Sequence, residues 1–219
     1  MKYLILLLNL FIYIISAIFN PVFSDESCLK SIEFPLCIYT DKKLEFIILR
    51  NEKEVGWHNV VFEISDEIVT AETNAYVKAP YLLVFDYVME YHSISKWHKG
   101  KLINLVASLN DDGDEYEISI TRDSDGKTTI SGKDEEFIID ENILPTEHWH
   151  PEERNASKLI NTLNGEIVNV ISNQIDEQTW YLEGDIKYEI TYDKNLKWTG
   201  LKFNADEDDI IEYICKNCK

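Results

Sequence analysis

From Lys43 onward apolar side chains recur at every second position, and that period limits what the chain can become. "EYEISIT" (115–121) sets Tyr116, Ile118 and Ile120 on one face against Glu115, Glu117, Ser119 and Thr121. "KYEITYD" (187–193) repeats the pattern with Tyr188, Ile190 and Tyr192. A period of two marks strands with one buried and one wet face. The gaps carry turn chemistry: Asn51–Lys53, Lys99-Gly100, Asp111-Asp112-Gly113, Asp125-Gly126, Asn164-Gly165 and Asp193–Asn195. Asp-Gly and Asn-Gly accept positive φ cheaply, so these read as hairpin turns. The pattern predicts strands at 44–50, 55–65, 67–78, 82–98, 101–109, 115–122, 127–132, 135–139, 166–175, 178–183, 185–192, 196–204 and 209–215. The one helical candidate is a short piece within 151–163. Sequential antiparallel strands describe an all-β meander, a strongly curved sheet or an open half barrel.

Two details refine this. "LLVFDYVMEY" (82–91) is apolar on both faces, as in a central strand covered on both sides. In "LKWTGLKF" (196–203) the apolar phase flips between Trp198 and Leu201, and a bulge at Gly200 would keep both on one face. One segment breaks the rhythm. "DENILPTEHWHPEERNAS" (140–157) has two prolines and no alternation, as expected of a plug or lid over an open end. There Trp149 is expected to plug the sheet while His148 and His150 face water. The competing reading is a metal pair, His148 and His150, completed by His58, His92 or His98, with Glu90, Glu147 or Glu152 as carboxylates.

The first residues set the compartment. Lys2 precedes an apolar run from Tyr3 to Phe19, and Val22-Phe23-Ser24 precedes Asp25. This reads as a signal peptide (1–24) cleaved after Ser24; an uncleaved anchor is the alternative. Cys28 follows Asp25-Glu26-Ser27, which does not suit lipid attachment. The protein is therefore expected to be exported, periplasmic or extracellular, and not integral to the membrane once cleaved. An arm (25–42) then leads into one β domain (43–219). The formal net charge of −19 repels phosphate and anionic headgroups, and no basic patch opposes it, so nucleic-acid binding is excluded. The spread acidic residues read as a solvated surface, or as a docking face for a basic partner.

Cys28, Cys37, Cys215 and Cys218 lie only at the two ends of the mature chain. An even count in an exported protein favours disulfides. The preferred pairing ties the arm to the last strand; Cys28–Cys37 with Cys215–Cys218 is the open alternative. Zinc is disfavoured because only one pair has short spacing. A redox role for "CKNC" is disfavoured because it follows a strand-like run instead of opening a helix.

"NEKEVGWHNVVFE", "MEYHSISKWHKGKLINL", "LNDDGDEYEI", "LPTEHWHPE", "INTLNGEIVNV" and "YDKNLKWTGLKFNADEDDIIEY" occur in that order. Together, over about residues 43–214, they resemble an uncharacterised bacterial family of exported proteins known only as a domain of unknown function. The resemblance implies an exported antiparallel β domain and brings no catalytic residue. The family pattern has a small residue and an aromatic where Glu147 and His148 stand, which weakens a shared metal role. The curved sheet is also similar in outline to periplasmic lipoprotein carriers, an analogy of fold alone.

Other signatures are absent. "NDDGDE" and "DSDGK" lack the ligand positions of a calcium loop, and G-x-S-x-G, H-E-x-x-H and G-x-G-x-x-G do not occur. His58 shares the parity of Val60 and Phe62, so it is expected to point inward and bond a buried carboxylate or tyrosine. With His92 and Glu90 it is the expected polar spot of a cavity, and Tyr87, Trp97, Trp149, Tyr192 and Trp198 are its expected lining or lid. The expected function is non-catalytic: a concave face binding an apolar small molecule, a lipid or a partner segment, with no cofactor, the competing reading being that these aromatics simply fill the core. A metal-dependent or acid–base envelope hydrolase using His148 and His150 is the alternative.

Overall fold

A computed structural model describes residues 25–81, 85–206 and 209–218. The expected signal peptide lies outside the described residues, as do Leu82, Leu83 and Val84 of the doubly apolar run. A short helix α1 (Asp25–Leu29) opens the arm. The first eight strands are β1 (Lys43–Arg50), β2 (Lys53–Ser65), β3 (Ile68–Tyr81), β4 (Phe85–His98), β5 (Lys101–Asp111), β6 (Asp114–Arg122), β7 (Thr128–Ser131) and β8 (Glu136–Ile139). A short β9 (Leu144–Pro145), a 3-10 helix (Pro151–Asn155) and β10 (Lys158–Ile160) follow. The chain ends with β11 (Ile167–Gln174), β12 (Thr179–Gly184), β13 (Tyr188–Tyr192), β14 (Trp198–Asp206) and β15 (Asp209–Cys215).

All 15 strands form one sheet in the order β8-β7-β6-β5-β4-β3-β2-β1-β15-β14-β13-β12-β11-β10-β9. Each pair is antiparallel except β9 with β10. The two meanders therefore meet at the centre, where the first and last strands zip together from Phe46 opposite Cys215 to Arg50 opposite Ile211. The hairpins at Asn51-Glu52, Asp66-Glu67, Lys99-Gly100 and Asp112-Gly113 each place two successive residues at positive φ. That geometry matches the twist of the flanking strands.

The sheet curls until its ends touch. The Lys133 N–H donates to the Asn164 carbonyl at 2.9 Å. A Cβ at Gly165, where φ is +82°, would stand 2.4 Å from Cα of Gly132. Only two bare backbones can approach this closely. The ladder itself stays open there, giving a half barrel.

Inside, the core runs through Phe46, Phe62, Trp97, Trp149, Tyr192 and Trp198, all at 0–1% exposure. The bulge expected near Gly200 is present: Tyr192 pairs with Trp198 while Thr191 pairs with Gly200, so Trp198 and Leu201 are both buried. The doubly apolar reading of β4 is corrected. Phe85 is 66% exposed and Val88 only half-buried, because this end of β4 runs past the core.

The arm is also part of the core. Phe34 and Tyr39 are buried, and Tyr39 stacks on Phe62 at 4.9 Å. The preferred cysteine pairing is overturned. Cys28 bonds Cys37 and Cys215 bonds Cys218. The arm is held by packing and by a bridge within itself, not by a link to β15.

Candidate functional site

The irregular segment enters the half barrel from its open side. Pro145 completes the short pairing with Ile160, which needs no further ladder donor from it. The next residues turn inward, with His148 at φ +64°. Trp149 is fully buried, with ring centroids 4.9 Å from Trp97, 5.2 Å from Phe62 and 6.0 Å from Phe34. It is the plug that the sequence suggested, but the expectation that both histidines face water is corrected: His150 is buried and His148 half-buried.

A buried turn must satisfy its backbone. Here tyrosine hydroxyls do so. Tyr192 donates to the His148 carbonyl at 2.8 Å and the His150 carbonyl at 3.3 Å, and Tyr39 donates to the Trp149 carbonyl at 2.6 Å. Burial, with the Glu153 charge nearby, pushes the pKa of Tyr39, Tyr188 and Tyr192 up, so all three remain donors.

The charged centre of the site is Glu153, at 0% exposure. Its carboxylate accepts the His148 backbone N–H at 3.0 Å, His148 Nδ1 at 2.8 Å and the Tyr188 hydroxyl. His150 is tied elsewhere. Its Nδ1 accepts the Glu152 N–H that opens the 3-10 helix, and its Nε2 donates to the Gly100 carbonyl, both at 3.3 Å. Burial pushes its pKa down to about 4, so it is the neutral Nε2-H tautomer. Both of its nitrogens are occupied, which leaves none for a metal. Among the described residues no group of three or more His, Cys, Asp or Glu side chains is placed to hold one.

Glu147 forms a second polar spot. The Ser93 hydroxyl donates to its Oε1 at 3.3 Å, while its Oε2 has no partner among the described residues. Burial raises its pKa to about 7 against the opposing pull of Ser95, Ser93 and Trp149. The Trp149 indole N–H lies near enough to contribute that pull, yet it misses hydrogen-bond geometry and is itself unpartnered, as is Thr73 Oγ1.

The other candidates separate. His58 is buried among Phe46, Trp198 and Tyr213, at 6.1, 5.3 and 5.5 Å. Among the described residues its Nε2 bonds no carboxylate or tyrosine, contrary to expectation, and burial, followed by the electrostatic effect of His148, lowers its pKa to about 3. His58 and His92 do not share a face. Ala75 pairs with His58 and with Tyr91, whereas His92 pairs with Asn74. His92 and Glu90 therefore sit on the outer face, where His92 Nδ1 meets Asn74 Oδ1 at 2.9 Å. Tyr87 donates to Asp111 Oδ1 at 2.6 Å. Trp97 donates to Ser95 and Trp198 to the Gly200 carbonyl, at 2.8 and 2.9 Å.

Beneath residues 144–154 the concave face is filled with its own rings, and the space available to a ligand lies at the rim. A pocket of about 340 Å³ is lined by Ile186, Tyr188, Leu201 and Phe203 together with polar Thr146, His148, Asn161, Lys187 and Asn204. Its lining mixes apolar and polar side chains, and it includes His148, whose Nδ1 meets Glu153. Thr146 Oγ1 is engaged with Thr162 at 3.2 Å. Sequence reasoning missed Glu153 and the role of Tyr188. The alternation of β13 had placed Tyr188 inward, but nothing in "PEER" distinguishes Glu153 from its neighbour Glu152.

A family described as a domain of unknown function (DUF6134) matches residues 46–216. The chain belongs to this family. The DUF6134 match spans both meanders and the plug, close to the extent over which the motifs carried a resemblance. No curated protein matches the chain. Among solved structures, the crystal structure of a beta-barrel-like protein of domain of unknown function DUF1849 from Brucella abortus is similar, with a TM-score of 0.55 and 9% identity. The match covers 79% of this chain and 94% of that one. At that identity the likeness supports the fold of the DUF6134 domain and nothing about its chemistry.

Proposed function

We propose that this DUF6134 domain is an exported, non-catalytic binding module. It takes a small apolar or amphipathic molecule in the rim pocket beside the plug. The carrying observation is that pocket of about 340 Å³, lined by Ile186, Leu201 and Phe203 and also by His148 and Lys187. Volumes of this order suit small ligands with an apolar body and a few placed polar groups. Export is supported by the leader-like first 24 residues and by two disulfides, which persist in oxidising compartments. Among the described residues no helix is long and apolar enough to cross a membrane.

Calorimetric titration with decanoate tests the binding role. Saturable binding that weakens at least tenfold in Phe203→Asp supports it; no heat above dilution, together with a ligand-free mass after mild extraction, would count against it. A second reading rests on one observation, the His148 Nδ1 to Glu153 contact of 2.8 Å, which could orient the imidazole as a general base. Hydrolysis of p-nitrophenyl esters that disappears in His148→Gln would favour that reading.

A further inference from the structure

The outer face of β2–β6 carries a second concavity, a groove of about 670 Å³ on the side of the sheet away from the plug. Its floor is one row of register-matched residues crossing five strands: Trp57, Tyr76, Glu90, Asn110 and Glu115. Adjacent strands lie about 4.8 Å apart, so the backbone positions of Glu90 and Glu115, two strands apart, are separated by about 10 Å. Trp57 and Tyr76 form one end of the row, their ring centroids 6.5 Å apart and their planes 26° apart. Trp57 is 42% exposed, an unusual placement for the largest side chain on a strand that buries its other face. The next row adds His92 and Glu117.

The charge of this groove is one-sided. Three carboxylates line it, from Glu90, Glu115 and Glu117, and no lysine or arginine does. Among the described residues none of the three has a cationic side chain within salt-bridge distance, although Lys43, Lys78, Lys158 and Lys202 are paired elsewhere. Exposed aromatic faces attract cations, and carboxylates complete the attraction. A neutral or anionic ligand would leave the three like charges unrelieved.

We propose that this groove binds a linear polyamine, an alkyl chain with ammonium groups on the order of 10 Å apart, the spacing set by the strands. One ammonium meets Glu90 beside the aromatic pair, another meets Glu115 and Glu117, and the methylenes lie along the row. The site is independent of the rim pocket, so either proposal can fail alone.

The test is a spermidine titration of the whole protein at 0.15 M salt, read by tryptophan fluorescence and by calorimetry. Saturable one-to-one binding is expected. Glu90→Gln and Glu115→Gln should each weaken it at least tenfold, and Trp57→Phe should remove most of the fluorescence change. Asp123→Asn, an equal charge change on a distant turn, should leave it within twofold. Hexaamminecobalt(III) matches the charge without the chain; binding as tight as spermidine would reduce the effect to general attraction by an acidic surface and overturn the proposal. So would spermidine affinity indifferent to Glu90→Gln and Glu115→Gln, or a neutral oligosaccharide that binds the groove where spermidine does not.

Discussion

At the residue scale the plug is governed by buried titratable groups with opposite pH signs. The pKa of Glu147 is raised from 4.5 to about 7, so the folded state holds its proton more tightly than the unfolded chain. The stability this group confers is present below pH 4.5 and lost as pH rises through 7. At 1.36 kcal/mol per unit the loss is about 3 kcal/mol. His58 and His150 are depressed from 6.5, to about 3 and about 4. Their contribution is present above pH 6.5 and lost as pH falls toward those values. Glu147→Gln should therefore gain in melting temperature over the parent between pH 5 and 8, the gap widening with pH; a gap independent of pH would refute the assignment. Glu153 is different, because three donors converge on its carboxylate. Glu153→Gln should cost about 3 kcal/mol in urea unfolding by stranding buried partners, and a loss under 1 kcal/mol would show that they find others.

At the element scale, turns and glycines close what the strands begin. Gly165→Ala must displace the Gly132 backbone and also hold an alanine at φ +82°. Gly113→Ala at φ +101° meets nothing within 4 Å. The first should cost at least about 2 kcal/mol more than the second in denaturant midpoint analysis, since it adds a steric clash to the φ penalty common to both. The disulfides also act locally. Separations of 9 and 3 residues give about 2.5 and about 1.5 kcal/mol on the chain-entropy model. A bridge from arm to last strand would have given about 5 kcal/mol. Peptide mapping without reduction should recover Cys28 with Cys37 and Cys215 with Cys218; any peptide joining the two ends would contradict the structure.

At the scale of the whole molecule, one sheet with its first and last strands paired at the centre makes the two meanders a single cooperative body. β1 and β15 cannot pair until nearly the whole chain is threaded into place, a non-local arrangement that slows folding. The net charge of −19 works against this compact state through self-repulsion. Raising salt from 10 mM to 0.5 M should therefore raise the melting temperature, and an unchanged value would mean that the acidic residues are too dispersed to matter.

The alternation by itself determined thirteen of the fifteen strands, the inward set of Tyr188, Ile190, Tyr192 and Trp198, the bulge at Gly200 and most turn positions. Each depends on near neighbours along the chain. β9 and β10, two and three residues long, are too short for a period to show, and β10 falls where a short helix was expected. The alternation also marked 140–157 as the segment that would not join the rhythm, and Trp149 as its plug. Which groups the fold brings together was decided only in three dimensions. His58 and His92 lie on opposite faces because of the register between β2, β3 and β4, and register is a property of pairs of strands. Glu153 reaches Tyr188 through the path the chain takes across the open side of the barrel, and the cysteines pair within the arm and within the C-terminal end. Period two states which way a side chain points from its own strand; what it then meets depends on how fifteen strands curl around a common interior.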